Sequence, residues 1–354
     1  MPNLFEPLTI KGITLRNRIG VSPMCMYSYT DGFANDWQVI HLGARAAGGA
    51  GLVITEATAV EARGRISPYD VGIWSDAHID PLARTTRVIK GNGAVAGIQI
   101  AHAGRKAGSR RPWDIGKPPA PNELQGWQGI GPSPIAFNED YPVPHELSVK
   151  EIKEIQKSFC VGAQRALAAG FEWLELHAAH GYLIHSFYSP LSNQRSDEYG
   201  GSFENRIRFL LETVRAIRPV WPEHLPLTAR ISGTDWQEGG WTMDESVELA
   251  RYLKKEGVDL IDCSSGGGAA QARVPVGPGY QIPISEAVRK GADILTATVG
   301  MITSPAQADE IIRNGRADLV LLGREMLRDP YWPLHAAQAL KQPAPIPSQY
   351  LRAF

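Results

Sequence analysis

Much of what marks a chain for a membrane, extracellular or nucleic-acid setting is missing here. Only 3 cysteines occur in 354 residues, and Cys25, Cys160 and Cys263 are too far apart for a disulfide framework or a metal cluster. No apolar run approaches the ~20 residues needed to cross a bilayer. The formal net charge is −1, from 36 basic and 37 acidic residues, so no positive excess exists to neutralise a phosphate backbone or an anionic membrane. The opening Met1-Pro2-Asn3-Leu4-Phe5-Glu6 lacks the basic-then-apolar pattern of a secretory signal. There is no low-complexity tract, repeat or linker-like shift in composition. These absences predict one globular domain over 1–354, reduced and cytoplasmic, whose partners are small molecules, with no nucleic acid, no membrane and no metal.

What is present is a regular alternation. Hydrophobic residues make up 43% and charged residues 21%, enough for a well-packed core. Short β-rich apolar runs lie at 19–24, 52–56, 96–101, 173–177, 227–231, 260–263, 294–299 and 319–322. Amphipathic helical patterns follow them at 36–47, 79–90, 149–169, 204–218, 244–256, 282–289, 306–313 and 331–340. Eight strand–helix units at this spacing predict an α/β fold, the (β/α)8 TIM barrel. Ser148 with Glu151 reads as a capping box, and Ser304-Pro305 as an N-cap followed by proline in the first turn. Lys11-Gly12 between short alternating runs predicts an N-terminal hairpin closing the barrel floor. The Pro-, Gly- and Trp-rich stretch 107–147 interrupts the unit after the third strand and is expected to be a lid over the catalytic face.

Catalytic groups of such barrels gather at the carboxyl ends of the strands, which makes polar residues there informative. The first strand ends in Ser22-Pro23-Met24-Cys25-Met26-Tyr27, with Cys25 and Tyr27 spaced to face one ligand or to pack as a small hydrophobe and its neighbour. Gln99 is the polar residue of an apolar third strand, suited to the edge of a heterocycle or to a satisfied core position. His102, Arg105 and Lys106 beyond it read as solvated loop residues. The fourth strand gives Glu175-Leu176-His177-Ala178-Ala179-His180-Gly181-Tyr182. Two neutral imidazoles leaving one strand can each offer an N–H to one carbonyl oxygen. The rival, a metal pair, needs at least a third ligand that the sequence does not obviously supply. Arg230 at the end of the fifth strand requires an anion, either a ligand or an internal partner such as Glu175 or Asp262. Val299-Gly300-Met301 and Leu322-Gly323-Arg324 end the seventh and eighth strands, where barrels commonly bind phosphate. Gly266-Gly267-Gly268 lacks a following helix at nucleotide-motif spacing and is not read as a dinucleotide fingerprint.

Together these residues resemble the Old Yellow Enzyme family of flavin-dependent reductases, in its bacterial thermophilic-like or xenobiotic-reductase branch. The likeness runs nearly end to end from Leu4-Phe5-Glu6-Pro7. It is carried by His177-Ala178-Ala179-His180-Gly181-Tyr182, by Ser22 to Tyr27, and above all by the segment from Arg195-Ser196-Asp197-Glu198-Tyr199 to Asn205-Arg206. That last segment reads by itself only as a polar loop entering a helix.

The resemblance implies noncovalent FMN at the barrel mouth. Ser22, Pro23, Met24, Cys25 and Ala57 would line its ring, Gln99 would bond the pyrimidine edge, and Arg230 would lie where negative charge develops. Val299, Gly300, Gly323 and Arg324 would hold the phosphate. It further implies an ene-reductase that reduces α,β-unsaturated carbonyl compounds with NAD(P)H by ping-pong hydride transfer. In it His177 and His180 clamp the carbonyl, Tyr182 or solvent protonates, Cys25 tunes the flavin, and Tyr27 adds a substrate hydrogen bond. The tail around Gln349-Tyr350-Leu351-Arg352 resembles one whose arginine reaches a neighbouring active site, which implies a homodimer or homotetramer. An alternative within the same fold is a flavin reductase acting mainly on nitro compounds or quinones. An aldolase or isomerase would need a strand-end lysine or acid–base pair. A passive flavin sensor would need no carbonyl clamp. An iron–sulfur relative would need four clustered cysteines.

Overall fold

The computed structural model describes residues 2–115 and 127–353, so 116–126 of the expected lid lies outside the described residues. The chain opens with the expected hairpin, β1 (Leu8–Ile10) against β2 (Ile13–Leu15), antiparallel with Leu8 opposite Leu15. Lys11 turns the corner at φ 54°, the left-handed conformation a two-residue turn demands. Leu8, Ile10 and Leu15 then pack on Leu52, Trp173, Leu260 and Leu319 at the lower ends of the barrel strands, closing the floor. Each such buried leucine contributes roughly 1.5–3 kcal/mol relative to exposure.

Among the described residues, eight parallel strands close the barrel. The first three are β3 (Ile19–Val21), β4 (Leu52–Ala59) and β5 (Val95–Ala101). The chain then leaves for the lid, where β6 (Ile130–Gly131) and β7 (His145–Glu146) pair in parallel. It returns as β8 (Trp173–Ala178), β9 (Leu227–Ser232), β10 (Leu260–Ser264), β11 (Leu295–Thr298) and β12 (Leu319–Leu322), and β12 pairs with β3. The outer layer is α1 (Asp36–Ala47), α2 (Ile79–Gly91), α3 (Val149–Ala168), α4 (Leu183–Tyr188) and α5 (Phe203–Ile217). It continues through α6 (Met243–Lys255), α7 (Ile282–Ala292), α8 (Pro305–Arg313), α9 (Arg324–Arg328) and α10 (Trp332–Ala339). None of the helices among the described residues is long and apolar enough to cross a membrane.

All eight expected strands are found, with two informative differences in extent. β3 stops at Val21 rather than running to Met24, because Ser22 N–H makes the last ladder bond, to Leu322 O at 3.0 Å, and Pro23 has no N–H to continue. β4 runs past Glu56 to Ala59 by a register shift between Ile54 and Ala57, which re-aims its upper end over the barrel mouth. The Ser148 capping box forms as expected, with Glu151 N–H donating to Ser148 Oγ and Ser148 N–H donating to Glu151 Oε2.

The Arg195 segment acquires a physical role. Its guanidinium donates to Pro132 O at 3.0 Å and Leu147 O at 2.6 Å while pairing with Asp197. It therefore buckles both ends of the 132–147 part of the lid to the barrel.

Candidate active site

The polar strand ends meet at one mouth of the barrel. His177 is the penultimate residue of β8 and is buried. Its Nδ1 accepts the amide N–H of Ala179 at 3.2 Å, so the neutral ring carries its proton on Nε2. His180 follows in the left-handed region at φ 61°. That turn folds its ring back to 5.1 Å from the ring of His177, at right angles to it, with His177 Nε2 and His180 Nδ1 3.4 Å apart. Burial, then the nearby Arg230, holds both imidazoles well below the usual histidine range. They are neutral donors at pH 7. Among the described residues no third histidine, cysteine, aspartate or glutamate joins them in a metal-holding group.

The strained turn at His180 is possible because its neighbours are glycines. A Cβ on Gly267 would lie 2.8 Å from the backbone of His180, and one on Gly181 would lie 2.1 Å from Gly267 O. The Gly266–Gly268 run is thus the bed on which the histidine loop lies. Lys106 fastens the two loops, with Nζ donating to His180 O at 2.9 Å and to Gly267 O at 3.1 Å. Burial, with Arg105 beside it, pulls this lysine down to about 8.

The expectation that His102, Arg105 and Lys106 are solvated is therefore corrected. His102 and Arg105 are buried, and Arg105 donates to Gly268 O at 2.6 Å. The loop after β5 turns inward, and the long side chains of Arg105 and Lys106 satisfy carbonyls of the loops after β8 and β10.

Tyr182 stands 4.9 Å from the ring of His177, edge-on. Burial first, then Cys25 and Tyr27, pushes its phenol well above its usual value, so it keeps its proton. Cys25, Tyr27 and Tyr182 pack on one small apolar cluster that includes Ala57 and Ala101. Burial, reinforced by Asp70 and Glu56, pushes the Cys25 thiol well up, which rules out a resting thiolate nucleophile.

Below the histidines lies a network of buried charge. Arg230 Nε is 3.2 Å from Asp262 Oδ2, and Nη1 donates to Ser22 Oγ at 3.1 Å. Gln99 Nε2 donates to Glu175 Oε1 at 2.9 Å, which leaves its carbonyl as the end outside that bond. Of the two readings of Arg230, the internal partner is found, in Asp262, and the guanidinium also lines a cavity. That cavity, about 280 Å3, brings Arg230, Val299, Gly300, Gly323 and Arg324 together with Ser264, Tyr280 and Arg328. Gly300 at φ 130° and Gly323 present bare backbone, and a Cβ on Gly323 would stand 3.8 Å from Met24 Sδ. Arg230 and Arg328 are paired with Asp262 and Glu325, so among the described residues Arg324 is the guanidinium of the lining left to meet an anion. Space, exposed backbone and charge all fit the phosphate and polyol chain of a flavin mononucleotide. Arg352 is not brought to this site by its own chain. It is exposed beyond Tyr350, whose hydroxyl lies 3.1 Å from that of Tyr331.

Ser264 and Gln281 were missed by the sequence reading, although Ser264 ends a strand where polar residues are informative. Its hydroxyl lies 2.7 Å from His180 Nε2. Lys106 was seen but misplaced.

Residues 3–342 match the family described as the NADH:flavin oxidoreductase / NADH oxidase family. An NADPH dehydrogenase of Geobacillus sp. (strain WCH70) is 50% identical over 353 residues, covering 99% of this chain and 98% of that protein. Among solved structures, the Old Yellow Enzyme homologue from Zymomonas mobilis superposes with a TM-score of 0.79 at 26% identity, covering 97% of this chain and 94% of that one. A 2-naphthoyl-CoA reductase superposes with a TM-score of 0.86 at 27% identity over 96% of this chain but 52% of its own, so this chain spans about half its length.

Proposed function

The chain belongs to the NADH:flavin oxidoreductase / NADH oxidase family, that of Old Yellow Enzyme, and is an NAD(P)H-dependent flavin oxidoreductase that works through FMN; from that premise we propose that it reduces the carbon–carbon double bond of α,β-unsaturated carbonyl compounds. The observation that carries this reading is the meeting of His177 Nε2 and His180 Nδ1, 3.4 Å apart, at the mouth beside a buried phenol. Two neutral N–H groups so placed bind one carbonyl oxygen better as it gains negative charge, which is the property a transition-state donor needs.

In this reading FMN, when bound, would supply the hydride with NAD(P)H as its reductant. Ser22, Pro23, Met24, Cys25 and Ala57 would line its ring, the Gln99 carbonyl would face its pyrimidine edge, and Arg230 would oppose negative charge there. Val299, Gly300, Gly323 and Arg324 would hold the phosphate. His177 and His180 orient the substrate carbonyl, draw charge from the alkene and make its β-carbon electrophilic. Tyr182, which burial keeps protonated, or solvent delivers the proton to the α-carbon. Tyr27 adds a hydrogen bond to substrate, and Cys25 contacts substrate and flavin as a neutral thiol. The active site is completed by Arg352 from another copy in a homodimer or homotetramer. The exposure of Leu351 and Arg352 beyond the Tyr350–Tyr331 contact supports this.

The purified protein should be yellow and release FMN on denaturation. It should be bleached by NADPH without oxygen and recoloured by cyclohexenone. Bleaching without recolouring would reject the substrate class while leaving the oxidoreductase intact.

A further inference from the structure

We propose that Ser264 is a positioning residue that sets the tautomer of His180 and so turns the histidine pair into a two-donor clamp. A neutral imidazole has one N–H, and the partner of one nitrogen decides which nitrogen carries it. For His177 the choice is made by the Ala179 amide, which leaves the proton on Nε2. That N–H faces His180 Nδ1 at 3.4 Å. If His180 carried its proton on Nε2, its Nδ1 lone pair would take the His177 N–H, and the pair would satisfy itself with one donor consumed. If the proton is on Nδ1, two N–H groups face one point, neither can bond the other, and both require an outside acceptor.

The Ser264 hydroxyl decides between these states. It can donate to His180 Nε2 at 2.7 Å or to Gln281 Oε1 at 3.4 Å. Gln281 Oε1 already accepts the hydroxyl of Ser265 at 2.7 Å, and Gln281 Nε2 donates to Val299 O at 2.8 Å, which fixes which end of the amide faces the serines. The 2.7 Å contact is compatible with either direction, but with His180 Nε2 as donor the serine proton would have only the 3.4 Å contact to an oxygen that already accepts from Ser265, so we assign the hydroxyl as the donor. Ser264 donates to His180 Nε2, and the ring proton stands on Nδ1, aimed at the space shared with His177. The backbone of His180 is held separately by Ser232 Oγ on its amide, at 2.9 Å, and by Lys106 on its carbonyl. Ser264 therefore acts on the proton of the ring rather than on the path of the loop.

The consequence for catalysis rests on the carbonyl clamp proposed above, but the tautomer can be read independently of it. In FMN-loaded protein with 15N-labelled histidine, assigned against His180→Gln, the wild type should show a pyrrole-type Nδ1 and a pyridine-type Nε2 at His180. Ser264→Ala should invert or mix these signals, and Ser264→Thr, which keeps the hydroxyl, should restore them. The rate of reduced-enzyme reoxidation by cyclohexenone should fall about tenfold or more in Ser264→Ala and recover in Ser264→Thr. Far-UV circular dichroism reports whether each variant is folded. If Ser264→Ala does not fold, the wild-type spectrum still decides. A pyrrole-type Nε2 in the wild type overturns the inference, as does an unchanged tautomer in Ser264→Ala. A tautomer that shifts with no change in the cyclohexenone step upholds the role of Ser264 and rejects the clamp instead.

Discussion

The hydroxyl of Tyr29 donates to Oε1 of Glu56 beneath the loop that carries Cys25 and Tyr27, while Oε2 of the same carboxyl accepts the amide of Met26 at 2.7 Å. One buried acid thus holds the loop at Met26, between the thiol and the phenol, and at Tyr29 just beyond them. Burial pushes Glu56 up to about 8, against the pull of Tyr29 and Met26. A folded value above the unfolded one means the stabilisation is full below about pH 4.5 and is lost as pH rises through about 8. The melting temperature of the FMN-loaded protein should therefore decline from about pH 6 to pH 9, by on the order of 2 kcal/mol of stability. Glu56→Gln, which mimics the protonated acid, should flatten that decline. Parallel melting curves for the two proteins test this.

His177→Ala should lower the rate of cyclohexenone reduction by about a hundredfold, the usual cost of deleting one donor to a developing oxyanion. Flavin reduction by NADPH should suffer much less. Stopped-flow measurement of the two half-reactions separates them, and equal losses in both would count against a carbonyl clamp.

Both imidazoles are held well below the usual histidine range by burial and Arg230. Neither should gain a proton between about pH 6 and pH 8, where a free histidine titrates. The pH profile of the cyclohexenone step should accordingly show no inflection near 6.5. An inflection there that disappears in His180→Gln would contradict the neutral pair.

Arg324→Ala should weaken FMN binding about tenfold, and the difference from wild type should shrink at high salt, because Arg324 is exposed at the edge of its cavity. Ultrafiltration of FMN at two ionic strengths measures both effects. An unchanged affinity would remove the phosphate contact.

Truncation after Gln349 should raise KM for cyclohexenone and alter the assembly seen by sedimentation. Unchanged values of both would dismiss a shared active site.

The barrel was legible because each strand is a short, largely apolar run, as in Leu319–Leu322 and Leu227–Ser232, set at regular intervals between helical patterns. Strand ends were less so. The stop at Val21 depends on the missing N–H of Pro23, and the extension of β4 depends on a register shift with no local signature. The site divides in the same way. His177, Gln99 and Arg230 stood out as polar groups in apolar strands. Lys106 and Arg105 did not, since a basic residue in a loop reads as solvated unless the carbonyls that capture it are known. His180 O, Gly267 O and Gly268 O come from segments distant in sequence. Ser264 was hidden for a related reason. A serine is ordinary anywhere, and only the nitrogen 2.7 Å away gives it a task.

The hairpin beneath the barrel has a kinetic counterpart. Leu8, Ile10 and Leu15 cover the lower end of a barrel whose interior is already filled by side chains, so the site opens on the upper face. Whatever visits the upper face must leave by the opening it entered. In the reaction proposed above, nicotinamide and alkene would share one berth in turn, each an obstruction to the other. Excess NADPH should slow turnover by occupying the reduced enzyme, and excess alkene by occupying the oxidised one.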